Sequence, residues 1–188
     1  MTRERPRRVT VTGSESTGKT WLARQLAQRF AAPWVPEFSR EYAVHKGAPL
    51  DASDVEPIAR GQLRAEEDVL GRARGLAILD TDLVSTVVYA EHYYGVCPVW
   101  IEQTARERLA DLYLLCDIDV PWVADRVRDR PGARREIQAA FAEHLARYGA
   151  TSVVVRGTWE EREAKAVAVV EALTSRMSRW ARSSRLSR

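Results

Sequence analysis

The 188-residue chain is 45% hydrophobic and carries 29 basic and 26 acidic residues, for a formal net charge of +3. This length and apolar fraction suffice for one domain with its own core, and the interspersed charges do not indicate a nucleic-acid-binding protein. No apolar run is long enough to span a membrane and residues 1–8 are charged, which predicts a cytoplasmic protein without a membrane segment. Cys97 and Cys116 form no CxxC pair, so we expect two reduced thiols.

Short apolar or β-branched runs alternate with longer helical patterns along the chain. The predicted strands are 9–12, 34–35, 76–79, 112–116 and 153–155. The segments between them begin with helix signals: the capping boxes Ser53-x-x-Glu56 and Thr158-x-x-Glu161, and Pro98 in a first turn. This alternation predicts an α/β fold with a parallel sheet covered by helices on both faces. We interpret residues 1–175 as a single domain and 176–188 as a basic Ser/Arg-rich tail that frays.

Residues 13–20 match the phosphate-binding pattern GxxxxGK[ST]. They follow the first predicted strand and open an amphipathic helix, which is the context that this motif requires. The glycines let backbone N–H groups close around phosphate oxygens at the positive end of the helix, while the lysine adds a charge and the threonine a hydroxyl for Mg²⁺. We therefore predict a nucleotide-binding loop made of Gly13, Ser14, Glu15, Ser16, Thr17, Gly18, Lys19 and Thr20.

Three acidic residues are predicted to lie beside this loop. Asp80 directly follows the apolar strand 76–79, as expected of the carboxylate that holds the metal ion at the ligand-binding edge of an open α/β sheet. Asp82 is expected either to accept a hydrogen bond from a substrate hydroxyl or to cap the next helix. Glu37 ends the second strand and is expected at the same edge as a general base or substrate clamp, although a surface ion pair with Arg40 would also explain it.

An arginine-rich segment, residues 119–136, follows the fourth strand and is interpreted as a lid. Arginines on such a segment can neutralise phosphate charge and exclude water. Arg126 and Arg128 are the predicted phosphate ligands, and Arg128 is also a predicted catalytic residue. Among the aromatic residues, Tyr42 and Trp122 are candidates to stack on a flat base of the substrate, although most aromatics at helical spacing belong to a core.

Five sequence blocks together resemble a known family. They are GSESTGKT at 13–20, VPEFSREY at 35–42, LDTDLVST at 79–86, DLYLLCDIDVPWVADRVR at 111–128 and VRGTWEER at 155–162. Their order is similar to that of the ribosylnicotinamide kinase domain of NadR-type NAD-biosynthesis proteins, within the P-loop nucleoside and nucleotide kinases. The resemblance implies a three-layer fold with five parallel strands in the order 2-3-1-4-5. It also implies ATP and Mg²⁺ as cofactors, and phosphorylation of nicotinamide riboside to nicotinamide mononucleotide.

The same resemblance assigns roles to individual residues. It supports the loop 13–20, with Lys19, at the nucleotide, and residues of the strand edge and lid toward the metal ion and the second substrate. These residues are Glu37, Arg40, Asp80, Asp82, Asp125 and Arg128. Gly157 falls in the loop that surrounds the ATP base in such kinases, although a plain strand-to-helix turn explains it equally well.

The sequence departs from the family in two ways. Arg126 stands where the lid motif Asp-Gly-x-Arg often has its glycine. Multidomain members also carry a nucleotidyltransferase with an HxGH-like motif, which none of the three histidines, His45, His92 and His144, forms. We therefore expect this chain to stop at the mononucleotide.

The pattern leaves other functions open. Another small nucleoside or nucleotide could be the acceptor, because a phosphate-binding loop does not specify the second pocket. A non-catalytic regulatory module that binds nucleotide would share the same loop. A kinase of nucleic-acid ends is disfavoured by the interspersed acidic residues. The sequence predicts a small-molecule partner and leaves the oligomeric state open.

Overall fold

The computed structural model describes residues 5–121 and 133–183. Its five strands are β1 (Arg7–Thr12), β2 (Trp34–Val35), β3 (Leu76–Asp80), β4 (Leu112–Cys116) and β5 (Ser152–Val155). They form one parallel sheet in the order β2-β3-β1-β4-β5. The predicted strand positions and the predicted order 2-3-1-4-5 are confirmed.

Seven α-helices connect and cover the described strands. They are α1 (Lys19–Arg29), α2 (Phe38–Lys46), α3 (Val55–Leu70), α4 (Leu83–Tyr94), α5 (Val99–Glu107), α6 (Arg134–Arg147) and α7 (Trp159–Ser183), with a short 3₁₀ turn at Ala52–Asp54. The predicted fraying from about residue 175 is wrong for the first part of the tail, because α7 continues to Ser183. Alanine, arginine and methionine in this stretch have high helix propensity. Throughout the described ranges, no helix is long and apolar enough to cross a bilayer.

Two hydrophobic layers sandwich the sheet, and alternate residues of each strand supply them. On β4, Leu112 and Leu114 pack with α1 and α7, whereas Tyr113 and Leu115 point to the layer of α3 to α6. This alternation follows from the two-residue repeat of a strand. Because both faces are covered, substrates can approach only at the ends of the strands.

The helix starts agree with the predicted signals in two of three places. Thr158 and Glu161 form a capping box, with N–H···O distances of 2.8 Å to the Glu161 carboxylate and 3.2 Å to the Thr158 hydroxyl. Pro98 lies one residue before α5, where its carbonyl accepts the first hydrogen bond of the helix. Both signals depend on residues that are close together in sequence, and for that reason the sequence alone predicts them.

The predicted capping box Ser53-x-x-Glu56 is wrong. The 3₁₀ turn is capped instead by Asp51, whose Oδ1 accepts the Ser53 N–H at 2.9 Å, while Asp54 accepts the Asp51 N–H at 2.7 Å. Lys46 donates to the carboxylates of both Asp51 and Asp54, and these charge-assisted contacts stabilise the turn.

Candidate active site

The loop between β1 and α1 requires its two glycines. Gly13 and Gly18 have φ angles of 131° and 81°, in the region that L-residues rarely adopt. A Cβ on Gly13 would lie 2.7 Å from the Cys116 carbonyl oxygen, and one on Gly18 would lie 2.4 Å from the Trp159 ring. These contacts fix the curvature of the loop at the carboxyl end of the sheet, where the motif was predicted to bind phosphates.

Lys19 lies inside this loop. The residue is buried, and its Nζ donates to the Ser14 carbonyl oxygen at 2.9 Å. The Thr17 hydroxyl donates to the same oxygen at 2.8 Å. An open cavity of about 320 Å³ adjoins the loop, and it is lined by Ser16, Thr17, Gly18, Lys19, Thr20, Trp21, Arg24 and Arg40. Its charged lining is cationic, which suits a polyphosphate.

Asp80 is a buried carboxylate at the end of β3. It is 1% exposed, and neither of its oxygens makes a hydrogen bond of normal geometry with a described residue, although the Thr20 hydroxyl is close enough to lower its pKa. Burial and the neighbouring charge of Glu37 raise the pKa of Asp80 to about 6, against opposing effects of Thr20, Lys19 and Arg40. A buried charge with so little hydrogen bonding is costly unless a cation compensates it. The oxygens of Asp80 and Thr20 therefore fit a hard divalent cation.

Asp82 caps α4. Its Oδ1 accepts the Val84 N–H at 3.0 Å, and its Oδ2 accepts the hydroxyls of Tyr113 at 2.6 Å and Thr10 at 3.3 Å. Burial raises the pKa of this carboxyl, and these three donors oppose the rise. Of the two predicted roles, capping is the one that the structure shows. Both carboxylate oxygens of Asp82 already accept hydrogen bonds from the protein, which disfavours a role of this residue in holding a substrate hydroxyl.

Changing Tyr113 to phenylalanine should destabilise the fold. The variant loses the shortest hydrogen bond to Asp82 and leaves a buried carboxylate short of a donor, for an expected cost of about 1–3 kcal/mol. Urea unfolding measures this loss. Tyr148 is the matched control, because its hydroxyl contacts Glu102 at the surface, and its phenylalanine variant should lose much less. Equal stability of wild type and the Tyr113 variant would show that Asp82 does not depend on this donor.

Glu37 lies at the same edge, close enough to Asp80 to raise the pKa of that carboxyl. Its Oε1 accepts the Ser39 hydroxyl at 3.0 Å, and its Oε2 lies 3.8 Å from the Arg40 Nε. The ion pair that the sequence left as an alternative is thus present. Because Arg40 also lines the phosphate-loop cavity, the pair lies in the site and not on a remote surface.

Tyr42 is held by a network at the other end of α2. Its hydroxyl donates to Asp54 at 2.9 Å, and Lys46 donates to both Asp54 and Asp51. The Tyr42 hydroxyl thus helps to anchor α2 to the start of α3. Its predicted contact with substrate stays a prediction.

Gly157 forms the turn between β5 and α7. It has a φ angle of 100°, and its N–H donates to the Asp119 carboxylate at 2.6 Å. A plain strand-to-helix turn is therefore present, and the contact with the ATP base stays a prediction. Four other predicted site residues lie outside the described residues: Trp122, Asp125, Arg126 and Arg128.

Sequence reasoning did not single out several residues that contact the phosphate loop, and four of them pack on its backbone or hydrogen-bond to it. Trp159 covers Gly18 and packs against the Trp21 ring, with 4.9 Å between ring centroids. The other three bind the loop through hydrogen bonds, and they are Arg134, Gln138 and Arg162. Arg134 fell within the predicted lid without being singled out. Nothing in the local sequence distinguished Arg162 from the many other arginines.

Comparison with known proteins agrees with this geometry. A family model described as an AAA domain matches residues 8–162. The chain is 32% identical over 145 residues to the trifunctional NAD biosynthesis/regulator protein NadR of Escherichia coli strain K12, and the match covers 74% of this chain and 35% of that protein. The NadR of Salmonella typhimurium strain LT2 is 31% identical with the same coverage. The chain thus spans about a third of the length of these curated relatives.

Solved structures of NadR proteins are also similar to this chain. A NadR protein in complex with NR superposes with a TM-score of 0.78 at 28% identity, over 90% of this chain and 50% of that one. A NadR protein in complex with NAD and AMP-PNP gives 0.77 at 28% identity, with the same coverage. Thymidylate kinase from Ehrlichia chaffeensis, at 14% identity and a TM-score of 0.70, shares the fold over 89% of this chain and its own full length. The predicted resemblance to NadR-type proteins is confirmed.

Proposed function

The chain belongs to the AAA domain family, and on that premise we propose that it transfers the γ-phosphoryl group of ATP to the 5′-hydroxyl of nicotinamide riboside. The product is nicotinamide mononucleotide, an intermediate of NAD salvage. The observation that carries the proposal is the buried carboxylate of Asp80, which lies beside a complete phosphate-binding loop and accepts no hydrogen bond of normal geometry from the described residues. The similar NadR structures, one with NR and one with AMP-PNP, support both substrates.

ATP is the proposed phosphoryl donor. The loop lines part of the cationic cavity, and the Nζ of Lys19 is held by the Ser14 carbonyl. We include Mg²⁺ because the Thr20 hydroxyl and the Asp80 carboxylate are oxygen ligands of the kind it prefers. Bound there, the ion would neutralise charge on the phosphate oxygens.

Glu37 is the residue we assign to the acceptor. Its carboxylate is held by Ser39 and Arg40 and lies next to Asp80, whereas Asp82 is occupied as a helix cap. In the proposed step the 5′-oxygen attacks the γ-phosphorus and the bond to the β–γ bridging oxygen breaks. ADP leaves, and the hydroxyl proton passes through Glu37 to solvent.

The charge of the acceptor supports the choice of substrate. Nicotinamide riboside carries a permanent positive charge on its pyridinium ring, and the carboxylates of Glu37 and Asp80 lie at the same strand edge. A cationic ring is attracted to such a site, whereas an uncharged nucleoside gains no such attraction. With Asp80 assigned to Mg²⁺, the carboxylate of Glu37, only loosely paired with Arg40 at 3.8 Å, is the one that would favour this acceptor over neutral purine or pyrimidine nucleosides.

The proposal also covers organisation and location. Residues 1–175 would act as one kinase domain with the lid at about 119–136, and 176–188 would be its basic tail. We place the reaction in the cytoplasm, where ATP is available. Two free cysteines, Cys97 and Cys116, fit a reducing compartment.

An acceptor panel tests the proposed substrate. ADP release is measured with nicotinamide riboside, with its uncharged isostere benzamide riboside, with purine and pyrimidine nucleosides, and with water alone. We expect kcat/KM for nicotinamide riboside to exceed that for the isostere by about tenfold, which corresponds to one modest ionic contact. Fastest turnover with an uncharged nucleoside would refute the substrate assignment. Nucleotide binding without acceptor-dependent ADP release would instead identify a regulatory module.

A further inference from the structure

The carbonyl oxygens of four successive loop residues accept hydrogen bonds from side chains. The Ser14 carbonyl accepts hydrogen bonds from Thr17 and Lys19. The Glu15 and Ser16 carbonyls both accept from Arg134, and the Thr17 carbonyl accepts from Arg162. We propose that Arg134 and Arg162 are positioning residues that hold the phosphate loop in its binding conformation before nucleotide arrives. The inference deepens the proposed function, because it assumes that this loop binds the phosphates of ATP.

Arg134, the first residue of α6, contacts two loop carbonyls with one guanidinium. Its Nε donates to Glu15 O at 3.2 Å and its Nη2 to Ser16 O at 3.1 Å, while its Nη1 donates to Val120 O at 2.9 Å. The neighbouring Gln138 accepts the Ser14 N–H at 3.0 Å and donates to Cys116 O at 3.0 Å. The start of α6 therefore holds the loop against the end of β4.

Arg162, on α7, binds the next carbonyl of the loop. It is 1% exposed, and its Nη1 donates to Thr17 O at 3.0 Å. The same guanidinium donates to Gly157 O at 2.9 Å and to Asp117 O at 3.1 Å, and it forms an ion pair with Asp119. One buried side chain thus joins the phosphate loop to the turns that follow β4 and β5.

Peptide geometry explains why these contacts matter for phosphate binding. In a planar trans peptide, the N–H of one residue points away from the carbonyl of the residue before it. The arginines that hold the carbonyls of residues 15–17 therefore direct the N–H groups of residues 16–18 toward the other face of the loop, where the phosphates are proposed to bind. Those N–H groups are the ones that a phosphate-binding loop offers to its ligand.

The charges of the two arginines add to this effect. They lie close enough that the charge of Arg162, after burial, lowers the pKa of Arg134, and Asp119 and Asp117 oppose the shift. Asp119 compensates part of this positive charge through its ion pair with Arg162, and an anionic ligand at the loop would compensate the rest. The arrangement therefore favours polyphosphate binding through both orientation and charge.

Two conservative variants test the proposal in the full chain. Arg134→Gln keeps one donor and loses the charge, and Arg162→Lys keeps the charge and loses the forked geometry. We expect Kd for Mg-ADP and KM for ATP to rise about tenfold in each, since each loses at least one charge-assisted hydrogen bond to the loop. KM for the acceptor should not change, and the amides of residues 16–18 should exchange hydrogen faster in nucleotide-free protein.

The control is Arg7→Gln at the opposite end of β1, where Arg7 pairs with Asp111 at 2.6 Å. It should lower the melting temperature and leave both KM values unchanged. Folded Arg134 and Arg162 variants with wild-type affinity for Mg-ADP would overturn the positioning role and leave the proposed kinase standing. An effect on kcat alone would also overturn it, because it would place these side chains on the reacting phosphate. Failure of the wild-type protein to bind Mg-ADP would overturn both proposals.

Discussion

Replacing Lys19 with alanine is expected to lower kcat for phosphoryl transfer about a thousandfold, the scale seen when a cationic group that stabilises the transition state is removed. The Nζ already lies within the loop at the Ser14 carbonyl, adjacent to the proposed phosphate site. Negative charge spreads over the oxygens of the phosphoryl group during transfer, and no other lysine is near the loop in the described residues. Steady-state kinetics with saturating ATP and acceptor measure the loss.

Lys165 supplies the control, because it lies exposed on α7. Its alanine variant should keep wild-type kcat. The Lys19 variant must also be shown to be folded, since the residue is buried, and far-UV circular dichroism with thermal melting establishes this. A folded Lys19→Ala protein with near-normal kcat would contradict the proposed mechanism.

Asp80→Asn is expected to lower activity and to raise the stability of the ligand-free protein. Asparagine removes a buried charge whose oxygens make no hydrogen bond of normal geometry with the described residues, and with it the proposed metal ligand. We expect kcat to fall at least about a hundredfold, as when one strong electrostatic contact to the reacting group is lost. Unfolding without Mg²⁺ and nucleotide should require more urea than for wild type.

The stability gain should depend on pH in a defined direction. The pKa of Asp80 is raised from its ordinary value of 3.8 to about 6, so the folded protein binds this proton more tightly than the unfolded chain does. The contribution of Asp80 to the stability of the wild type therefore falls as pH rises from about 4 to about 6, and its full penalty, up to about 3 kcal/mol, is present above that range. The gain in stability of Asp80→Asn over the wild type should be small at about pH 4 and largest at neutral pH.

Asp68→Asn, at an exposed position of α3, controls for removal of a negative charge. It should show neither the gain in stability nor the loss of activity. A wild-type protein that is as stable as Asp80→Asn at neutral pH would show that the buried carboxylate costs nothing. The argument for a cation at this position would then lose its basis.

Local patterns account for what the sequence predicted correctly. The strands, the phosphate loop and the cap at Thr158 each depend on residues within a few positions of one another. The sheet order came from the family resemblance, because a strand sequence does not specify its neighbours. Asp82 was assigned two roles, since only the fold reveals that Tyr113, 31 residues away, occupies its carboxylate.

The contacts that sequence reasoning missed are distant along the chain. Arg162 reaches the carbonyl of Thr17 across 145 residues, and Arg134 reaches Ser16 across 118. No residue spacing or sequence motif predicts either contact, because an arginine that binds backbone carbonyls can approach from any helix, strand or loop. The weak hydrogen bonding of Asp80 among the described residues could not be predicted either, since it is a property of the packed site and not of the strand that carries the residue.

Phosphorus NMR of the products tests the central claim most directly. The wild-type protein is incubated with ATP, Mg²⁺ and nicotinamide riboside, and the fate of the γ-phosphorus is followed. The account predicts that each ATP consumed yields one ADP and one 5′-phosphomonoester of the riboside. Release of the γ-phosphate as inorganic phosphate at a rate independent of the riboside, or no consumption of ATP at all, would contradict it.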